Sequence, residues 1–432
     1  MEETQKIQDK KTNTKLFPIY KMFSWDLLFY YSIIYLFLTQ AKNFSASEVL
    51  LAESFFTASC LLLQIPIGLL VDKIGKKNSL VFANICMCVF ITILLFVNNY
   101  PMLLLANFID AIGYVIKGVC ETNILYDSLP SGEKRGTLYS SVDGIGASRY
   151  YVIDAMTSII AGITFTIDPY IPVVLCLIVN IIALILSTRF KHTQSQREEE
   201  NSKETAKQYF KELKEAIKFT FNSKRMLCLM LFFGLMSGLT YNLSTYRSNI
   251  LNSINIPAQY FGIIFAIIQI MAGICSKGQG WLHKRFKNNT LSVLGIPYVA
   301  SCFIIGCLVD SFGESVSNIV VILFILQGAI KGAYNVLIYR YLNNFTNRRI
   351  RVKLATIRNM FFNMISILIS LLGSFLLKVT TSGNTFLIVG GICTVCMVLL
   401  LDYMRGKVGL KPEKYNKEDL KYSSFNEGGN LK

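Results

Sequence analysis

Charged side chains are scarce in this sequence. Asp, Glu, Lys and Arg make up 16% of its 432 residues, whereas a soluble domain carries about a quarter, because its surface must be wetted. An ordinary soluble globular protein is thereby excluded. Histidine is rarer still. His192 and His283 are the only two, both lie in polar segments, and no catalytic set assembles around them. There is no glycine-rich phosphate loop, which removes direct drive by ATP. Cysteine is present, 11 in all, but every one lies in an apolar stretch and no pair has zinc-ligand context. They read as small core residues rather than a disulfide or metal framework. No enzyme, cofactor or metal site is expected.

What the chain has in abundance is apolar length. Hydrophobic residues make up 53% of it and the mean hydropathy is +0.45. A helix needs roughly 20 apolar residues to cross a hydrocarbon core. Segments of that kind run over 17–39, 49–71, 80–97, 102–126, 142–165 and 171–187, then over 226–246, 260–276, 291–309, 319–339, 355–379 and 385–404. The first follows a Lys-rich polar tail, is too long for a signal-peptide core and has no small-x-small cleavage site after it, so it is expected to stay in the mature protein. The expectation is an all-α membrane protein of twelve spans with the lipid bilayer as its solvent.

The net charge of +16 forms no single patch, so a nucleic-acid partner is not expected. The basic residues alternate between loops instead. Lys73, Lys76 and Lys77, then Lys134 and Arg135, then Lys284, Arg285 and Lys287, then Arg348, Arg349, Arg351 and Lys353 fall on one side. The other side holds little beyond Lys42, Arg247 near a helix end, Asp168, Asp310 and Glu314. Lys and Arg concentrate in cytoplasmic loops, so both termini are expected inside, and the cell membrane is the expected location.

The longest polar segment splits the spans into two sets. The expected organisation is an N-terminal six-helix bundle over 1–188, a cytoplasmic linker over 189–224, a C-terminal six-helix bundle over 225–404 and a cytoplasmic tail over 405–432. Within the linker, Tyr209, Phe210, Leu213, Ile217 and Phe221 have the spacing of an amphipathic helix lying on the inner membrane face, with a plain solvated linker as the alternative. The halves echo each other: Ile116-Lys117-Gly118 in the fourth span has a counterpart in Ile330-Lys331-Gly332 of the tenth. Such internal similarity is typical of duplicated transporter folds.

Between the second and third spans the chain reads Gly68-Leu69-Leu70-Val71-Asp72-Lys73-Ile74-Gly75-Lys76-Lys77. This resembles the hallmark loop of the major facilitator superfamily in position, orientation and residue types. The resemblance implies two six-helix bundles related by pseudo-two-fold symmetry, and a gate latch at this loop with Asp72 controlling conformation. Locally, Gly68 would permit close helix approach, Gly75 a tight turn, and Lys76 and Lys77 contact with inner headgroups. The stretch Glu121 to Leu129, with Leu125-Tyr126-Asp127-Ser128 inside it, is similar to the end of span four in some bacterial members. The fourth span lacks the arginine of many proton-coupled members, and the fifth lacks the Gly-Pro pair of drug antiporters, offering Ala161-Gly162.

Ionisable groups inside spans are costly and are site candidates by default. Asp26 lies in span one and Glu53 near the outer end of span two. Asp110, Lys117 and Glu121 share one face of span four, and Lys117 and Glu121 are spaced to neutralise each other. Lys117 and Lys331 at matching depths suggest a basic cavity lining for an anionic or zwitterionic substrate. Arg149 is expected to meet Asp26 or Glu121 across helices. Asp154 is deep in span five and is a proton-carrier candidate. Arg247, Arg340 and Arg358 are expected to snorkel from helix ends. The expected function is secondary active transport of a small solute by alternating access, proton-coupled, in a monomer. Efflux of amphipathic compounds is favoured, with an uptake symporter or a lipid flippase as alternatives.

Overall fold

The computed structural model describes residues 2–130, 135–191, 202–286, 289–344 and 351–404. Lys134, His192, Lys287, Arg348, Arg349, the tail over 405–432 and the side chains of Asp72, Tyr209, Phe210, His283 and Arg340 lie outside what is described. Among the described residues every regular element is a helix. That follows from the apolar runs, because a backbone in lipid must satisfy its own polar groups, and a single span does so only as a helix.

Eleven of the twelve expected segments fall on long helices. They are α3 (Ala46–Ile74), α4 (Lys76–Phe96), α5 (Tyr100–Ser128), α6 (Arg135–Ile167), α7 (Tyr170–Thr188), α9 (Lys224–Ser253), α10 (Ala258–Phe286), α11 (Thr290–Phe312), α12 (Ser317–Asn344), α13 (Arg351–Val379) and α14 (Ser382–Tyr403). Polar caps start several of them. Ser45 and Glu48 form a reciprocal capping box on α3, and Asn99, Ser223 and Thr381 cap α5, α9 and α14. Each satisfies backbone N–H groups that the first turn leaves open.

Span one departs from the expectation. Helix α1 (Glu2–Ser24) ends inside the expected segment, the chain is unwound through Trp25–Ile33, and helix returns only as a short turn, α2 (Ile34–Leu36), and a wide π turn over Phe37–Ala41. Phe29 takes a left-handed φ of 63°, which a bulky side chain rarely adopts. The local cause is Asp26, whose Oδ1 accepts from the Leu27 backbone N–H at 2.9 Å and from the Tyr31 hydroxyl at 2.7 Å. An aspartate that captures backbone donors competes with the helix.

The chain divides into two compact units. Unit 1 takes in the chain to Ala206 together with Pro257–Ala266. In it α4 packs on α5 and α7, α3 on α5, and α1 on α6. A Cβ on Gly113 of α5 would stand 2.9 Å from the Ala83 carbonyl oxygen, so only glycine lets α4 and α5 approach this closely. The inner part of its core joins Phe17, Tyr20, Ile67, Val71, Leu80, Ile116 and Cys120. Unit 2 takes in Lys207–Ile256 and the chain from Ile267. In it α11 packs on α14 and α9 on α13. A Cβ on Gly390 would stand 2.5 Å from the Phe303 amide nitrogen.

The linker contains helix α8 (Ser202–Asn222). Its buried residues are Leu213, Ala216, Phe219 and Thr220, while Phe221 is 60% exposed and its ring lies 6.3 Å from that of Phe361. The expected face through Leu213, Ile217 and Phe221 is thus turned by part of a turn, with Leu213, Ala216, Phe219 and Thr220 seated against protein instead.

Candidate functional site

Two groups of ionisable side chains meet inside unit 1. The inner group hangs on the end of α1. Tyr20 is fully buried in the inner core; its hydroxyl donates to Glu121 Oε1 at 3.1 Å and accepts from Asn84 Nδ2 at 3.0 Å. Ser24 Oγ donates to the same Glu121 oxygen at 3.5 Å. Lys117 Nζ donates to the backbone carbonyl of Ser24, where α1 stops. A helix C-terminus carries unsatisfied carbonyls and partial negative charge, so the ammonium serves there as a cap. One turn earlier, Lys21 Nζ pairs with Asp143 at 2.5 Å and lies 4.5 Å from the centre of the Trp25 ring.

The outer group surrounds the unwound stretch. Asp26, Glu53 and Asp110 all lie within electrostatic reach of Tyr30, and Asp110 is also within reach of Asp26 and of Lys117. Tyr30 and Tyr31 pack edge to face at 5.2 Å, and Trp25 does so with Tyr150 and with Tyr151, each at 5.1 Å. Asp26, Tyr30, Tyr31 and Asp110 are half-buried.

Several sequence expectations change here. Lys117 and Glu121 are electrostatic neighbours but form no ion pair; each has found a partner on α1. Lys117 is buried, at 8% exposure, and is turned to a backbone carbonyl, so it does not line a basic cavity. Lys331 is half-buried on α12 in unit 2, and its neighbour Gly332 presses directly on the Ala272 carbonyl. Arg149 is exposed on α6 and meets neither Asp26 nor Glu121, since both are held by other groups. Asp154 is buried, within reach of Tyr150. Arg247 does not snorkel: it is buried in unit 2 with its guanidinium 5.2 Å from the Phe324 ring. Lys21, Tyr20, Ser24 and Asn84 belong to the site without a motif in the sequence to mark them. The one signal available was a lysine early in the first apolar segment; Tyr20 and Asn84 look like any polar side chains in a span.

In the loop after α3, Gly75 has φ 88° and joins α3 to α4, the turn that glycine allows. Gly68 differs from the expectation, because open space surrounds the place where its Cβ would sit. Lys76 Nζ pairs with Asp127 Oδ2 at 2.6 Å, which ties this loop to the end of α5. Lys73 is exposed and Lys77 half-buried.

Among the described residues, ten stretches are long and apolar enough to cross a membrane, one of which, Thr290–Asn335, runs through both α11 and α12. Long apolar helices that hold acid–base groups at depth mark a multi-pass membrane protein. The profile of the Major Facilitator Superfamily matches residues 16–313 and 294–425, and the chain belongs to that superfamily. It is therefore a member of a transporter family, not an enzyme. The crystal structure of the nucleoside transporter NupG is similar over 93% of this chain and 99% of its own, at 13% identity and a TM-score of 0.69. A D-xylose-proton symporter is similar over 91% and 96%, at 12% identity and a TM-score of 0.65. A bacterial homolog of the human lysosomal transporter Spinster is similar over 96% and 98%, at 14% identity and a TM-score of 0.63. Among curated proteins no sequence matches this chain.

Proposed function

We propose that the protein is a secondary active transporter that moves a small solute by alternating access and couples that movement to protons. It would act in the cell membrane with both termini cytoplasmic, as the alternation of basic loops favours. The two six-helix bundles, 1–188 and 225–404, would be the parts that move during alternating access. The observation that carries the reading is the linked set at the end of α1, in which Glu121 is held by Tyr20 beside Lys117 on the Ser24 carbonyl. Protonation of Glu121 would weaken its hold on Tyr20 and Ser24 and remove the negative neighbour of Lys117. A proton is thereby linked to the geometry of span one. Asp26 and Asp154 are the further carriers.

The direction preferred is efflux of an amphipathic compound. Uptake by symport is the second reading, favoured because one similar structure is a D-xylose-proton symporter. The test uses purified protein in proteoliposomes loaded with a pH-sensitive dye, challenged with single compounds. Substrate-dependent proton flux is expected, with Glu121→Gln abolishing it and Asp154→Asn reducing it. Movement of a labelled solute with no proton flux would overturn the coupling.

A further inference from the structure

We infer that Asn84 on α4 is a positioning residue for the coupling carboxylate Glu121, acting through the hydroxyl of Tyr20 between them. The inference rests on the transport reading and adds α4 to the elements that sense the proton. Asn84 is 1% exposed, and Tyr20 is fully buried in the core that holds Leu80, Ala83, Ile116 and Cys120. Few partners are on offer in such a core, and a polar group left without one there is costly. The amide of Asn84 is oriented by its own helix. Asn84 Nδ2 donates to the Leu80 carbonyl at 2.8 Å. A carbonyl can only accept, so the nitrogen of the amide and not its oxygen must face it. The second amide hydrogen then goes to the Tyr20 oxygen at 3.0 Å.

That bond decides what the tyrosine can do. With its oxygen accepting from Asn84, the Tyr20 hydroxyl has one hydrogen to give. Two oxygens compete for it: Glu121 Oε1 at 3.1 Å and Asn84 Oδ1 at 3.5 Å. A hydrogen bond to an ionised carboxylate is about twice as strong as one between neutral groups, so a charged Glu121 takes the hydrogen. Once Glu121 is protonated that advantage is gone, and a small rotation of the hydroxyl turns it to Asn84 Oδ1. The chain from the Leu80 carbonyl through Asn84 and Tyr20 to Glu121 thus has two hydrogen-bond patterns, selected by one proton. Asn84 supplies both the bond that aims the hydroxyl and the acceptor to which it returns. The charged and titratable groups around Glu121 are Tyr20 and Lys21 on α1, Lys117 on its own helix and Asp143 on α6. Asn84 carries no charge, so it acts by direction. Ser24 Oγ, 3.5 Å from the same Glu121 oxygen, is the weaker second donor.

The test needs no substrate, because its probe is the proton. The full-length protein in liposomes is titrated with acid and base and followed by infrared difference spectroscopy. The carboxyl C=O band that is missing from Glu121→Gln belongs to Glu121. Tyr20→Phe removes the hydroxyl, and Asn84→Leu removes the amide at similar volume, with Asn84→Ala as the substitute should that variant not fold. In both, the titration midpoint of the band should move in the same direction by about one pH unit, which matches one hydrogen bond to a charged group. The band should also rise in frequency in Tyr20→Phe, as a carbonyl does when it loses a donor. The double variant should move the midpoint no further than Tyr20→Phe alone, because Asn84 acts through the tyrosine. Asn84→Gln keeps an amide and should restore part of the shift. A midpoint unmoved in Asn84→Leu overturns the inference, as does an additive double variant or the absence of any Glu121 band. The transport reading fails separately. These shifts without proton flux for any compound would remove the coupling and leave the network. Flux abolished by Glu121→Gln, with the midpoint unmoved in Asn84→Leu, would remove the role of Asn84 alone.

Discussion

Lys117 is the residue whose sequence and structural meanings diverge most. Its depth in an apolar segment marks it as functional, and its spacing points to Glu121, yet it caps a helix end on another span. Replacement by Met removes the cap and leaves Ser24 with an unsatisfied buried carbonyl, which costs about 1–3 kcal/mol. Thermal unfolding of Lys117→Met should therefore start several degrees lower, and substrate-driven flux should fall about tenfold or more. Lys117→Arg should keep much of the stability. A smaller effect is expected at the Lys76–Asp127 pair, whose side chains are 22% and 18% exposed; a partly hydrated pair contributes about 1 kcal/mol or less. Lys76→Gln should leave the melting temperature nearly unchanged but alter the ratio of inward to outward accessibility. The double reversal, Lys76→Asp with Asp127→Lys, should move that ratio back, read by labelling of single cysteines from either side.

At the scale of elements, the break in span one is the feature that hydropathy alone misses. A window over 17–39 is apolar enough to suggest a continuous helix, and the reason it is not continuous lies in side-chain chemistry. Asp26 takes a backbone donor, Phe29 is left-handed and Lys117 arrives from α5 to hold the end. Exchange of backbone amides over 25–33 should be faster than over the flanking helices, and binding of a substrate should slow it. Phe29→Gly meets the positive φ without strain and should fold normally, whereas the β-branched Phe29→Val should lower expression and stability. Tight helix contacts give an independent check. Gly332 rests on the Ala272 carbonyl, so Gly332→Leu should destabilise the protein by about 1–3 kcal/mol.

For the whole molecule, the informative pattern is where the polarity falls. Apolar segments, basic loops on one side and the Gly68–Lys77 loop together identify the superfamily, and the profile match over most of the chain bears this out. Loop orientation is the matching prediction. A membrane-impermeant maleimide should label Lys42→Cys from outside intact cells and Lys284→Cys only after permeabilisation. Labelling of both from the same side would contradict the topology.

Composition and periodicity determine by themselves that the chain is helical and that it lives in a membrane, because both follow from local hydrophobicity and the need of a span to satisfy its own backbone. The Gly68–Lys77 loop is legible too, since its glycine turn and charges are contiguous. The partners of the buried charges are decided only by tertiary structure. Tyr20 with Asn84 and Glu121, Lys21 with Asp143, and Lys117 with the Ser24 carbonyl join residues from 64 to 122 positions apart. Spacing along one helix brings Lys117 near Glu121, but in the fold Lys117 donates to the carbonyl left open at the broken helix end while Glu121 accepts from Tyr20 and Ser24. The break and its partner create each other, and neither is visible in a single span read alone.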